Sequence, residues 1–512
     1  MVISGDGKLT MKDFYRVLFE KGAVKLDSQT LEQAEKNYLF LDHFIQDKII
    51  YGINTGLGPM AQYKVDDDKY KELQVNLIRS HAAGTGEPID SLSLKAAMIG
   101  RLRCFSNGAS GVHPEVLKLL KEMINRDIIP YVPEHGGVGA SGDLVQLAHL
   151  ALTMLGEGKV MYKGQWQSTA SVFDQLNLKP ISIHIREGLG LINGTSVMTG
   201  VGIVNVIHAR NLLNWMLIAS VLINELVETF NDHYSFELNS TKLHHGQNVI
   251  ARAMGEMLQT SKLTQVREDV LFNNNHNGSK IEKKVQEYYS IRCVPQILGP
   301  IYDTLVNAEQ ILEQEVNSVN DNPVIDEKNE YVFHGGNFHG DYVSLEMDKL
   351  KMAITKLSML SERQLNFLMN DKLNEVLPPF VNLGTLGLEL GMQGAQFTAT
   401  STVAENQTLS APMYVHSIPS NNENQDMVSM GTNSALIARK VIDNAFQALS
   451  VELISLIQGV DYLAYQDRLS EGTRSAYKKL REVVPRFNKD KILYKDIQHI
   501  KSYIMEHRPE FL

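Results

Sequence analysis

Apolar positions along this chain recur mostly at helical spacing. Leu31, Ala34, Tyr38, Leu41 and Phe44 repeat every three or four residues, with Asp27 or Ser28 standing where a cap belongs. Leu92–Phe105 reads as a second helix. His113-Pro114 marks the start of a third, because proline is tolerated in a first turn. Asp143–Leu155 reads as a fourth, stopped near Gly156. From Thr195 onward the apolar periods lengthen: Thr195–Phe230, Val285–Ser318, Leu345–Met369, Leu388–Leu409 and Ser434–Tyr465. Several exceed the usual length of a globular helix. Strand signals are few, and Lys159–Trp166, with Lys163-Gly164 at its centre, predicts a hairpin. The polar run Asn273–Ser279 predicts a loop. The expectation is a mainly α chain: a mixed N-terminal region over 1–190, a bundle of long helices over 191–480 and a helical tail over 481–512. Helices this long, and apolar on several sides, predict burial against other subunits.

Composition narrows the function classes. The chain has 512 residues, 43% hydrophobic and 21% charged, which is globular. Its 49 basic and 59 acidic side chains give −10, which argues against a nucleic-acid partner. Cys104 and Cys293 are its two cysteines, too few for a disulfide framework or a Cys-based zinc site. Among 16 histidines there is no H-E-x-x-H, so no metal is expected. His81, His334 and His339 read as packing or pocket groups. The longest apolar stretch, Trp215–Ile223, is too short to span a bilayer and is flanked by Asn211, Asn214 and Asn224. Met1–Phe14 carries Asp6, Lys8, Lys12 and Asp13 and no apolar run. No membrane partner and a cytoplasmic location are expected.

The richest segment is Gly136-Gly137-Val138-Gly139-Ala140-Ser141-Gly142-Asp143. It contains the letters of a dinucleotide fingerprint, G-x-G-x-x-G from Gly137 to Gly142. A nicotinamide-dependent oxidoreductase would need a buried strand before it and a βαβ unit around it. Pro130 and Pro133 make a central strand there unlikely to form. Glu157 precedes the next strand signal, whereas the fingerprint acid should follow one. A plain glycine turn in a helical scaffold is the bland reading. A third reading is chemical. If the backbone folds tightly, the Gly142 nitrogen can attack the Ala140 carbonyl carbon and close a five-membered ring with loss of water. Ser141 then loses its hydroxyl as a second water. Gly142 leaves the nitrogen unhindered, Ala140 adds little bulk, and Ser141 has the β-hydroxyl to eliminate.

The run Gly139-Ala140-Ser141-Gly142-Asp143-Leu144, with Leu147-Ala148, resembles the signature of the histidine, phenylalanine and tyrosine ammonia-lyases, whose family includes aminomutases. Further blocks follow in family order: Tyr51-Gly52-Ile53-Asn54-Thr55-Gly56, Ser80-His81-Ala82-Ala83-Gly84, Asn193-Gly194-Thr195-Ser196, Tyr289-Ser290-Ile291-Arg292-Cys293, Asp321-Asn322-Pro323, Gly335-Gly336-Asn337-Phe338 and Asn424-Gln425-Asp426. They cover about residues 50 to 430. Gln146 departs from the pattern, since many relatives have proline there. The resemblance, closest to bacterial tyrosine ammonia-lyases, implies an ammonia-lyase/fumarase-aspartase-like long-helix bundle. It also implies a homotetramer with active sites shared between subunits, and a 4-methylidene-imidazol-5-one (MIO) ring. Ala140 and Gly142 would be cross-linked in that ring and Ser141 converted to a didehydroalanine, with no external cofactor.

The implied reaction removes ammonia and a β-proton from an aromatic L-amino acid. The electrophile would turn a poor leaving group into a better one. Tyr51, in a loop with Gly52, Gly56 and Gly58 that could serve as a lid, is the implied base. A free tyrosine ionises near ~10, so its site must favour phenolate. Gln286, Tyr289, Arg292 and Cys293 are spaced to share one helical face. On spacing alone that is a solvated stripe. The resemblance makes Arg292 the carboxylate clamp and gives Tyr289 and Gln286 hydrogen bonds to substrate or electrophile. Asn193 would lie near both, and Phe338 beside the electrophile. Substrate choice rests on two positions. Ser80-His81 resembles the histidine-type pair, while Gln425 resembles the phenylalanine and tyrosine enzymes, where histidine enzymes place glutamate. His81 could then bond a phenolic hydroxyl, and a site built around that bond would reject phenylalanine. The expectation is L-tyrosine to p-coumarate plus ammonia. Histidine ammonia-lyase is the alternative; phenylalanine ammonia-lyase and aminomutase come after it.

Overall fold

The computed structural model describes residues 1–5, 7–46, 48–272, 281 and 284–512, so the Asn273–Ser279 loop lies outside the described residues. The chain is mainly helical and divides into two compact units. One is Met1–Ile207, Ala308–Asp348 and Pro412–Ala438; the other is His208–Asn307, Lys349–Ala411 and Arg439–Leu512. A linear division at residues 190 and 480 differs from this. The reason is length: Ser196–Leu226, Val294–Val316, Asp341–Met369 and Gly431–Leu463 each contribute one end to either unit. A helix of 31 residues runs about 46 Å, more than one core spans.

Most expected helices form near their expected bounds. Ser28–Phe44 is capped by Asp27, whose carboxylate accepts the Thr30 amide at 2.6 Å. Ser91–Ser106, Pro114–Asn125 with His113 at its cap, and Leu144–Met154 follow. The hairpin pairs Lys159–Tyr162 with Gln165–Ser168. Lys163 and Gly164 both take positive φ, as a two-residue turn of that hand requires. Two expectations are corrected. Leu388–Leu409 is helical only from Gln393, because Gly391 at φ +59° turns the chain just before it. Val285–Ser318 splits into Tyr289–Arg292 and Val294–Val316. Pro295 has no amide hydrogen to continue a ladder through Cys293. Gln286 therefore precedes the helix, and the four-residue polar face does not form.

The Ser196–Leu226 helix is also longer in its apolar run than the sequence suggested. It is long and apolar enough to cross a bilayer by length and composition, yet 94% of its most apolar window is buried in protein. An all-round apolar helix is what a core requires. Two of its buried amides donate across the core: Asn205 Nδ2 to the Ala435 carbonyl at 2.7 Å, and Asn211 Nδ2 to the Ile504 carbonyl at 2.6 Å. Glu225 accepts the Ser470 amide at 2.6 Å and the Thr473 hydroxyl at 2.5 Å, which anchors the Glu471–Val483 helix.

In the second unit Glu452 is fully buried, and the Ser361 hydroxyl donates to it at 2.5 Å. Burial pushes its carboxyl up to about 8. An unfolded chain releases this proton near pH ~4.3 while the folded chain keeps it. Wild-type stability is therefore lost as pH rises from there to about 8. Glu452→Gln is neutral throughout. Urea melts at pH 5 and pH 8 should show the variant gaining on wild type by up to about 1.4 kcal/mol per pH unit. A difference independent of pH would contradict a neutral buried carboxyl.

Candidate active site

The glycine-rich segment is held in the first unit by antiparallel strands. Pro133–His135 pairs with Thr85–Pro88, and Ile129–Pro130 with Lys159–Tyr162. These strands are two to four residues long, and no βαβ unit surrounds them. The dinucleotide reading falls for that reason. Beyond the strands the chain folds back on itself. Gly142, at φ +70°, forms a bridge with Gly194, and the Asp143 amide donates to the Gly194 carbonyl at 2.8 Å. A Cβ on Gly142 would stand 2.0 Å from that carbonyl oxygen. The close approach is possible only without a side chain.

Asp143 locks the fold-back. Its carboxylate accepts the Val197 and Met198 amides at 2.7 and 3.0 Å, at the start of the Ser196–Leu226 helix, and the Thr432 hydroxyl at 2.5 Å. Burial pushes its carboxyl up to about 6 against these donors. The Gly139 carbonyl accepts from the Gly340 amide at 3.0 Å and the Ser429 hydroxyl at 3.1 Å.

Ser141 then faces a cavity of about 720 Å3. Tyr51, Ser80, His81, Asn193, Phe338 and Gln425 line it with Ser141, and Leu57, Leu73, Leu77, Leu144 and Leu189 form apolar wall. The structure thus brings together seven residues named from the sequence. Gln425 Nε2 donates to Ser141 Oγ at 3.1 Å, and Asn193 Nδ2 to the Ser141 carbonyl at 3.3 Å. Tyr51 comes from a loop tied down by the Gly56 amide on the Tyr63 carbonyl at 2.8 Å and the Val65 amide on the Asn54 carbonyl at 3.1 Å. Its phenol oxygen accepts the Gly58 amide at 3.0 Å. His81 ends the Tyr70–His81 helix, and its Nδ1 lies 3.0 Å from the Leu77 carbonyl. A carbonyl only accepts, so Nδ1 carries a hydrogen and donates it there, which leaves Nε2 as the nitrogen not engaged by Leu77.

Gln286, Tyr289 and Arg292 are not in this cavity. They belong to the second unit and line a separate one of about 410 Å3. The Arg292 guanidinium sits 4.6 Å over the Tyr289 ring and donates to the Glu287 carbonyl at 3.0 Å.

The family model described as aromatic amino acid lyase matches residues 9–482. The chain belongs to the aromatic amino acid lyase family. It is 37% identical over 501 residues to the tyrosine 2,3-aminomutase of Myxococcus fulvus, covering 96% of this chain and 95% of that one. It is equally 37% identical to the histidine ammonia-lyase of Staphylococcus saprophyticus, covering 97% of each. The solved tyrosine aminomutase of Streptomyces globisporus superposes with a TM-score of 0.95 at 35% identity, over 99% of this chain and 96% of that one.

The aromatic amino acid lyase family implies an MIO group, and the residues here fit one. The Ala140-Ser141-Gly142 backbone is already turned tightly at Gly142. Asn193 Oδ1 is buried with no hydrogen-bond partner among the described residues, while its Nδ2 is on Ser141. Gln425 supplies a second amide at the Ser141 side chain.

The supporting charges of this site were not readable from sequence. Arg101 is fully buried, and its Nη2 donates to the Asn193 carbonyl at 2.7 Å and to the Gly190 carbonyl. Arg186, also fully buried, donates to the Pro323 carbonyl at 2.8 Å. The Asp321 carboxylate lies 3.3 Å from Arg186 and 4.0 Å from Arg101. An arginine inside an apolar helix carries no signal of its partners. Asn421 and Asn424 line the cavity too. Asn424 stood in a recognised block without a role.

Gly142→Ala is expected to abolish turnover, with kcat at least ~100-fold lower, about 2.7 kcal/mol, because the added methyl displaces Gly194 and with it Asn193. Far-UV circular dichroism checks that helices survive. A folded variant with near wild-type kcat would show that the fold-back is not needed.

Proposed function

We propose that this chain is a tyrosine ammonia-lyase, converting L-tyrosine to p-coumarate and ammonia on an MIO group formed from Ala140-Ser141-Gly142. When formed, that group supplies an electrophile for the substrate amine. The chain's own residues do the rest. Tyr51 is assigned as the base for the β-proton, and the Gly58 amide donating to its phenol oxygen supports that role by fixing the oxygen's position. Asn193 and Gln425 hold the Ser141 position. The apolar walls fit an aromatic ring and keep water from it.

The observation carrying the substrate is His81. Its free Nε2 accepts from a phenolic hydroxyl, and phenylalanine would leave it unpaired. Gln425 is neutral and offers an imidazole ring no charge. The names of the relatives divide the same way, tyrosine with an aminomutase and ammonia loss with a histidine enzyme. An aminomutase returning ammonia to the β-carbon is therefore the second reading, and histidine ammonia-lyase the third. Gln286, Tyr289 and Arg292 lie in a cavity of their own, which supports their service to the Ser141 cavity of another copy in a homotetramer.

Purified protein should be given L-tyrosine, L-histidine and L-phenylalanine in parallel, with products separated by chromatography. p-Coumarate is expected as the main product, and Gln425→Glu should move the histidine-to-tyrosine ratio toward histidine by about tenfold, ~1.4 kcal/mol. β-Tyrosine as the main product would replace lyase with aminomutase. Faster urocanate release would replace tyrosine with histidine.

A further inference from the structure

His113, Glu115 and His184 form a cluster outside the cavity, in the first unit. One ligand atom from each lies within 4.8 Å of the other two. The two imidazole rings stack at 4.6 Å. Their backbones are clipped together by one buried carboxylate: Glu187 accepts the His113 amide at 2.8 Å and the His184 amide at 2.7 Å. The rings are thus placed by the fold rather than by chance contact of surface side chains. His184 Nδ1 is 3.3 Å from the Tyr38 hydroxyl, and in the tautomer in which Nδ1 donates to that oxygen, Nε2 keeps its lone pair for a ligand. A second group holding the other ring nitrogen is a common feature of metal-binding histidines. The His113 Nδ1 takes the Glu115 amide only at 3.4 Å, a long bond that is easily given up.

We propose that His113, His184 and Glu115 bind a divalent transition-metal ion, zinc being the best match. Two imidazoles and a carboxylate are a ligand set suited to it, with water completing the tetrahedron. Bringing ligand atoms from 4.8 Å to the roughly 3.3 Å of a tetrahedral ion needs about 1.5 Å of side-chain movement. Glu115, with its side chain 56% exposed, has room to supply it. The site is structural in placement. It would tie the start of the Pro114–Asn125 helix to residue 184, from which the Glu187–Ile192 helix leads to Asn193 in the cavity.

Full-length protein stripped with a chelator should be titrated with Zn2+ by calorimetry, and with Co2+ by visible absorption. One Zn2+ per chain, a tetrahedral cobalt spectrum and a higher Tm with zinc are expected. His184→Ala should weaken binding at least ~100-fold and Glu115→Gln about tenfold. Glu115→Gln changes only an exposed side chain, so it tests the carboxylate even if His184→Ala folds poorly. The proposal is overturned if wild type binds zinc no more tightly than Glu115→Gln and His184→Ala, or if its cobalt spectrum is that of the free aquo ion.

Discussion

The site depends on one close approach, the backbone of Gly142 against the backbone of Gly194. No side chain fits at Gly142, where a Cβ would meet the Gly194 oxygen. Gly194 is as confined: a Cβ there would stand 2.4 Å from Arg101 Nη1. From that contact the rest follows in order. The fold-back aims Ser141 into the cavity, sets Asn193 beside it and brings Asp143 to the first turn of the Ser196–Leu226 helix. A carboxylate at a helix N-terminus satisfies amides that would otherwise lack partners.

Holding this geometry takes charges in a dry interior. Asp143, Asp321, Arg101 and Arg186 are all fully buried. Burial of an unpaired ion would cost several kcal/mol, which hydrogen bonds and the Asp321 carboxylate between the two arginines offset. Asp143 has three donors, and the two arginines donate to the backbone carbonyls of Asn193, Gly190, Ser110 and Pro323 and to the side chains of Asn320 and Asp321, while Nε of each has no partner among the described residues. Such a network offers little net stability but admits few alternative arrangements, which suits residues that must be positioned rather than merely packed. The cavity itself is mostly apolar, with polar groups at a few points, and is suited to an aromatic amino acid.

Periodicity alone revealed the helical character and most helix positions, because burial against a core imposes its spacing on the sequence. It failed where a local feature overrides the pattern, as at Pro295, which breaks Val285–Ser318, and at Gly391, which delays the Gln393 helix. The discontinuous units were hidden for a related reason: a helix can leave one core for another with no change in its apolar period. Seven cavity residues were legible from motif resemblance, since their chemistry constrains their identity. Arg101 and Arg186 were not. Besides Asp321 and Asn320, their partners are backbone carbonyls, which any sequence supplies.

The central claim is that this fold-back is a ring-forming turn. Intact-mass measurement of the purified chain, followed by peptide mapping, tests it most directly. The account predicts a chain two waters lighter than its sequence requires, with the whole deficit in the peptide holding Ala140-Ser141-Gly142. Full sequence mass in a preparation that still turns over its substrate would contradict it.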